Sequence, residues 1–321
     1  MSKVDLDHAE RPIRHQRDGL RSPRAKHFRE NMPDAARRHV YIRRNILFEN
    51  REPPVNPLKK EIDIDEATRL VKNMALERGA KVVGIADYDS RVAFADAEEL
   101  DHTSVVIFGM PMKYDFMADI GPQSQDEVHR VYYELDDIGL RLAHHVAALG
   151  YSARLQHNYA ELPLVAYGYL AGLGELGKHG SLISPELGSS FRLGAMSTNL
   201  PLVADGPKDY AIDEFCTNCN VCTRFCPGEA ILPDKREVNG IVRWHVDTAA
   251  CEPYFYELYG CKICLMVCPF NNQGLQREHY APVIKDIVAT KNAAGILALI
   301  KQRTRMAPAD IDFTISIKDE S

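Results

Sequence analysis

Eight cysteines, all beyond residue 215, carry the most specific chemistry in this 321-residue chain. Cys216, Cys219, Cys222 and Cys226-Pro227 have the x2, x2, x3 spacing of the bacterial ferredoxin run for a [4Fe–4S] cluster. In that run the fourth cysteine points toward a second cluster, and a second set follows: Cys251, Cys261, Cys264 and Cys268-Pro269. Crossing the fourth ligands predicts one cluster on Cys216, Cys219, Cys222 and Cys268, and another on Cys226, Cys251, Cys261 and Cys264. Structural zinc would pair two CxxC knuckles and would leave both x3-Cys-Pro endings unexplained. The departure from a simple ferredoxin is the insert "EPYFYELYG" between Cys251 and Cys261, which is expected to reach away from the cluster. Two linked clusters form a relay for single electrons. The long stretch before Cys216 is more than a relay needs, which points to another redox centre upstream.

A second candidate is "AGLGELGKHGSLI", where Gly172, Gly174 and Gly177 have the spacing of a dinucleotide fingerprint. That fingerprint needs a strand before it, a helix after it and an acid about 20 residues on. Here a helical run precedes it, Gly180, Pro185 and Gly188 break any helix after it, and the acid is missing. The glycines are better read as letting main chain approach a bulky ligand closely.

The elements that must position these residues follow from periodicity. Residues 65–79 read as a helix with Ala67, Leu70, Val71, Met74 and Ala75 on one face. "KVVGIADY" and "SVVIFGMPM" read as buried strands, residues 126–150 as the longest helix and "YSARLQH" as another strand. Alternating helices and strands argue a layered α/β architecture. The predicted organisation is an extended basic arm (1–60), an α/β core (61–205), a two-cluster module (206–280) and a C-terminal helix and tail (281–321). Residues 1–44 hold twelve Lys/Arg against six Asp/Glu, so with an overall charge of −6 the remainder stands at −12. The arm has little apolar periodicity and reads as solvated. Arg43 to Phe48, "RRNILF", has the look of a twin-arginine export core, but the polar, Pro-rich "ENREPPVNPLKKE" follows where an apolar run is required. With no run of 18 apolar residues either, a cytoplasmic protein that does not engage membranes is expected.

Taken together, "AGLGELGKHGSLISPELGSSFRLGAMSTNLPL", "DEFCTNCNVCTRFCPGEAI" and "CKICLMVCPFN" resemble the corrinoid and iron–sulfur reductases. These comprise the reductive dehalogenases and the epoxyqueuosine reductases of tRNA maturation, and the resemblance covers roughly residues 60–275. It implies a Rossmann-like core binding base-off cobalamin, followed by two [4Fe–4S] clusters. It also implies corrinoid contacts from Gly172, Gly174, Gly177, Lys178, His179, Gly180 and Ser181. The chain lacks the D-x-H-x-x-G stretch that gives cobalt a histidine in many other corrinoid proteins, in keeping with base-off binding.

Within that group the dehalogenase branch is the closer likeness. "GELGKHG" stands where epoxyqueuosine reductases have a "GWIGK" form, and "HNYAELP" stands where they carry an acid in V-D-S-A-P. The spacer after Cys251 and the acidic body, an awkward surface for tRNA, agree. The implied reaction removes halogen from an organohalide, an aromatic one being expected, and protonates the organic fragment. In the family a tyrosine supplies that proton, with a cation easing phenolate formation. The pattern carries the acid to Tyr132, with Tyr133 and Tyr159 as alternatives, the cation to Arg192, and a polar partner to Asn158. An external low-potential donor, a ferredoxin or a flavodoxin with its reductase, is implied. The alternatives are an epoxyqueuosine reductase, for which tRNA would be the partner, and a non-enzymatic electron carrier.

Overall fold

The structure is a computed structural model and describes residues 10, 23–118, 120–158 and 161–271. The expected C-terminal helix at 282–303 and Tyr159 lie outside the described residues.

The chain opens with α1 (Pro23–Glu30) and α2 (Asp34–Ile42), and α2 runs on into a π-helical turn, Arg43–Leu47. The extended arm is therefore corrected over this stretch. These helices bury small side chains, Ala25 and Ala36, and hold themselves by charged contacts, so their seating leaves no apolar stripe in the sequence. Next come α3 (Ile64–Glu77), capped by the Asp63 carboxylate accepting from the Asp65 and Glu66 amides, and the strands β1 (Val82–Asp87) and β2 (Ser104–Pro111). After α4 (Tyr114–Ala118) comes the 27-residue α5 (Pro122–Ala148), opened by proline in its first turn. β3 (Ala153–Gln156) and α6 (Leu164–Leu170) follow. A two-residue hairpin, β4 (Glu175–Leu176) with β5 (Leu182–Ile183), leads to β6 (Phe191–Thr198).

The main sheet has the order β1-β2-β6-β3. The mixed helix–sheet architecture is the expected one, but every pairing in this sheet is antiparallel, unlike the parallel order of a Rossmann sheet. For β1 and β2 the cause is local: no helix lies between them to carry a parallel crossover. Both faces are covered. Val106, Phe108, Met110 and Met196 pack with α3 and α5, while Val105, Ile107, Leu193 and Ala195 pack with α6. That explains why these strands read as continuous apolar runs.

The cysteine-rich part consists of α7 (Ile212–Asn218), α8 (Val221–Phe225), the hairpin β7 (Arg236–Val238) with β8 (Ile241–Arg243), α9 (Thr248–Glu257) and α10 (Ile263–Met266). It is fastened to the core where Ser189 Oγ donates to the Leu265 carbonyl at 2.8 Å. The insert after Cys251 forms most of α9 and turns outward onto α1: Phe28 lies 5.8 Å from the Phe255 ring and 5.6 Å from the Tyr256 ring.

Candidate active site

Helix α5 comes down close on β6 because both elements carry glycine at the crossing. A Cβ on Gly194 would meet Leu135 Cβ at 2.9 Å, and one on Gly139 would meet the Ala195 carbonyl at 3.1 Å. Arg192 precedes Gly194 by two residues and so lies on the same face of β6. It meets Tyr132, which lies one turn before Leu135 on α5. The Arg192 guanidinium is 5.6 Å from the centre of the Tyr132 ring. A second guanidinium, that of Arg43 in the π-helical turn, stands 4.8 Å from the same ring. Arg43 also donates from Nη2 to Asn158 Oδ1 at 2.5 Å and from Nε to Asp136 Oδ2 at 2.6 Å. Tyr132, Arg192 and Asn158, three residues singled out by sequence, thus converge. Tyr133 points elsewhere and stacks on His39 at 5.4 Å.

Arg43 and Asp136 are the residues sequence reasoning missed. Their pairing spans 93 positions, and the only local signal, "RRNILF", pointed to export. Burial pushes the Asp136 carboxyl up, opposed by Arg43. The polar face of α5 continues toward its N-terminus at spacings of three and four: Tyr132, His129, Gln125. Burial lowers His129 to about 3, and the nearby charges of Arg43 and Lys262 push the same way. Lys262, from the second cysteine set, reaches this end of α5 and donates to Ser124 Oγ at 3.0 Å. Burial pushes its ammonium down to about 7, with Arg192 adding to the effect. The side-chain polar atoms of Gln125, His129 Nδ1 and Arg192 Nε are buried without a hydrogen-bond partner among the described residues. Such atoms are open to water or to a ligand with polar groups.

The glycine segment packs tightly against the protein around it. A Cβ on Gly174 would sit 2.0 Å from the Ile183 carbonyl, one on Gly172 2.6 Å from the Gly206 carbonyl, and one on Gly177 2.6 Å from Ile183 Cδ1. The close approach that these three glycines allow is to the protein itself. Tyr210 donates from its hydroxyl to the Gly172 carbonyl at 2.8 Å, and Glu175 Oε2 accepts from the amides of Tyr210 and Ile212 at the start of α7. Lys178 is also turned inward, donating to Asn220 Oδ1 at 2.7 Å with its ammonium 4.7 Å from the Trp244 ring. Its backbone amide donates to Cys216. The segment therefore seats the first cysteine helix. Gly180 has φ +78° and abuts Val246, and the Ser181 carbonyl accepts from Gly177 within the loop. His179 keeps a buried Nε2 without a partner among the described residues, and burial lowers it to about 4.

The eight thiols fall into two neighbourhoods by their mutual influence. Cys222 senses Cys268, Cys216 and Cys219, while Cys261 senses Cys251 and Cys226, and Cys264 senses Cys261, Cys226 and Cys251 most strongly. Burial raises Cys222 and Cys261 to about 12 and Cys251 and Cys268 to about 11, so bare thiolates would be costly and iron would offset the cost.

Residues 215–279 match the 4Fe-4S dicluster domain. Over 120 residues the chain is 39% identical to the tetrachloroethene reductive dehalogenase of Sulfurospirillum multivorans, covering 35% of this chain and 24% of the relative. Over 125 residues it is 38% identical to the epoxyqueuosine reductase of Lactococcus garvieae, covering 37% and 34%. The chain is a relative of the reductive dehalogenases and the epoxyqueuosine reductases. Both groups are oxidoreductases. The fold is that of the catabolic reductive dehalogenase NpRdhA: the TM-score is 0.75 at 23% identity, covering 93% of this chain and 47% of that one. NpRdhA has also been solved in complex with 3-bromo-4-hydroxybenzoic acid. Each of these matches spans less than half of the related protein's own length. Among the described residues no helix is long and apolar enough to cross a membrane.

Proposed function

We propose that the chain is a corrinoid-dependent reductive dehalogenase body that removes halogen from an organohalide, an aromatic one in the first instance. The observation that carries this reading is Tyr132 with two guanidinium groups on its ring and Asn158 tied to one of them. Replacing a carbon-bound halogen by hydrogen takes two electrons and one proton and releases halide. Bound cobalamin would supply the low-valent cobalt chemistry at the carbon–halogen bond, fed with electrons by the two clusters. The unpartnered His179 Nε2 and Arg192 Nε are suited to the amide groups around a corrin ring. Tyr132 hands the proton to the carbon left behind, and Arg192 stabilises the phenolate that results. Cys216, Cys219, Cys222 and Cys268 hold one cluster, and Cys226, Cys251, Cys261 and Cys264 the other. A low-potential ferredoxin or flavodoxin in the cytoplasm completes the supply of electrons.

The test is anaerobic turnover of a panel of halophenols and halobenzoates by cobalamin-loaded, cluster-replete protein with a reduced dye. Halide release that disappears in Tyr132→Phe supports the reading, and silence across the panel removes it. The likeness to an epoxyqueuosine reductase over 125 residues supports a second reading. Restored queuosine in the tRNA of a strain that accumulates epoxyqueuosine would put that reading first.

A further inference from the structure

We propose that Arg43 is the positioning residue of the site, the group through which the N-terminal helices set the orientation of Tyr132 and Asn158. This inference rests on the dehalogenase reading for its kinetic part only. Three segments far apart in sequence meet at this one guanidinium. Its Nε is bonded to Asp136, one helical turn from Tyr132 on α5. Its Nη2 is bonded to Asn158 in the turn that follows β3. Its Cζ stands over the Tyr132 ring, 4.8 Å from the centre. A guanidinium can do all three together because its donors are fixed in one rigid fork and its faces stay free to stack, which an ammonium cannot match. The backbone is specialised as well: α2 widens to a π-helical turn at Arg43, a distortion that recurs at functional sites. The next residue, Arg44, is exposed and serves as a control.

A neutral residue at 43 strands the buried Asp136 carboxylate, so the informative variant is Arg43→Met combined with Asp136→Leu, with Arg43→Lys beside it. In cluster-replete, cobalamin-loaded protein the double variant is expected to lose about 10- to 100-fold in kcat with KM little changed, the signature of a misplaced catalytic group. Arg43→Lys restores part of that loss, and Arg44→Met changes nothing. A readout independent of turnover comes from 3-fluorotyrosine placed at Tyr132. Its fluorine resonance should move in the double variant, move less in Arg43→Lys, and stay in place in Arg44→Met. Unchanged kcat with an unmoved resonance overturns the proposal while leaving the dehalogenase reading intact. A resonance that moves in protein inactive on every organohalide tested keeps the coupling of Arg43 to Tyr132 and removes the dehalogenase reading.

Discussion

The Arg192 guanidinium lies 5.6 Å from the centre of the Tyr132 ring, although one residue belongs to a strand and the other to the helix packed across it. A positioned proton donor contributes about 10²- to 10⁴-fold to a rate. Tyr132→Phe is therefore expected to lower halide release by about 100-fold or more, with iron content and cobalamin binding unchanged. Tyr133→Phe, which keeps the ring stacked on His39 and removes a hydroxyl directed away from the site, should leave most of the rate in place. If the two variants behave alike, the proton comes from another group.

The crossed ligand sets make an expectation that sequence neighbours alone would reverse. Cys268→Ser should weaken the cluster of Cys216, Cys219 and Cys222, and Cys226→Ser the cluster of Cys251, Cys261 and Cys264. Electron paramagnetic resonance of the reduced protein reads this directly, because two interacting clusters give a signal that one alone does not. Each variant should keep about half the iron, a single cubane. A Cys268→Ser protein whose remaining signal traces to the Cys216 set would mean that the fourth ligands are not exchanged.

What the sequence made legible was short-range chemistry. Cysteine spacing is fixed by how a chain wraps a cluster, so it can be read without coordinates, and β-branched apolar runs announced β1 and β2 because both faces of the sheet are covered. The arm was misjudged because α2 is seated by Ala36 and by the Arg43–Asp136 ion pair rather than by an apolar stripe. The antiparallel pairing of β1 with β2 was within reach, since the stretch between them offers no crossover helix. The glycines were legible only in part. Spacing shows that side chains are missing, not what fills the space, and at Gly174 the filler is the carbonyl of Ile183.

That last contact sets up a comparison of two glycines. Gly174→Ala puts a methyl group against backbone that cannot move aside, and overpacking of that kind costs about 3 kcal/mol or more. Gly206 has φ +75° and nothing within 4 Å of a new Cβ, so Gly206→Ala should cost only the left-handed backbone penalty, about 1 kcal/mol. Urea unfolding measures both. Because the hairpin seats α7, Gly174→Ala should also lose iron from the Cys216 set, while Gly206→Ala keeps it. Equal losses in the two variants would contradict the packing role assigned to Gly174.

Acid should weaken the fold before the carboxylates titrate, because histidines are buried neutral. Burial lowers His129 to about 3, and the charges facing it, Arg43, Lys262, His39 and Arg44, all act in the same direction. Burial lowers His102 to about 4; Arg154 adds to this, Glu52 and Asp101 oppose it, and its Nδ1 lies 2.8 Å from Ser197 Oγ. In the unfolded chain a histidine titrates near 6.5. Between that value and the folded one, the unfolded state binds more protons, so stability is complete above about pH 6.5 and falls as the pH drops toward the folded values. Each such histidine removes about 1.4 kcal/mol per pH unit in that window, and somewhat less at the half-buried His102. Urea unfolding at pH 7 and pH 5 should show the difference. His102→Asn, which can keep a hydrogen bond to Ser197, should make the slope shallower by one histidine's share. A slope that the substitution leaves untouched would mean that His102 takes up its proton in the folded protein as readily as in the unfolded chain.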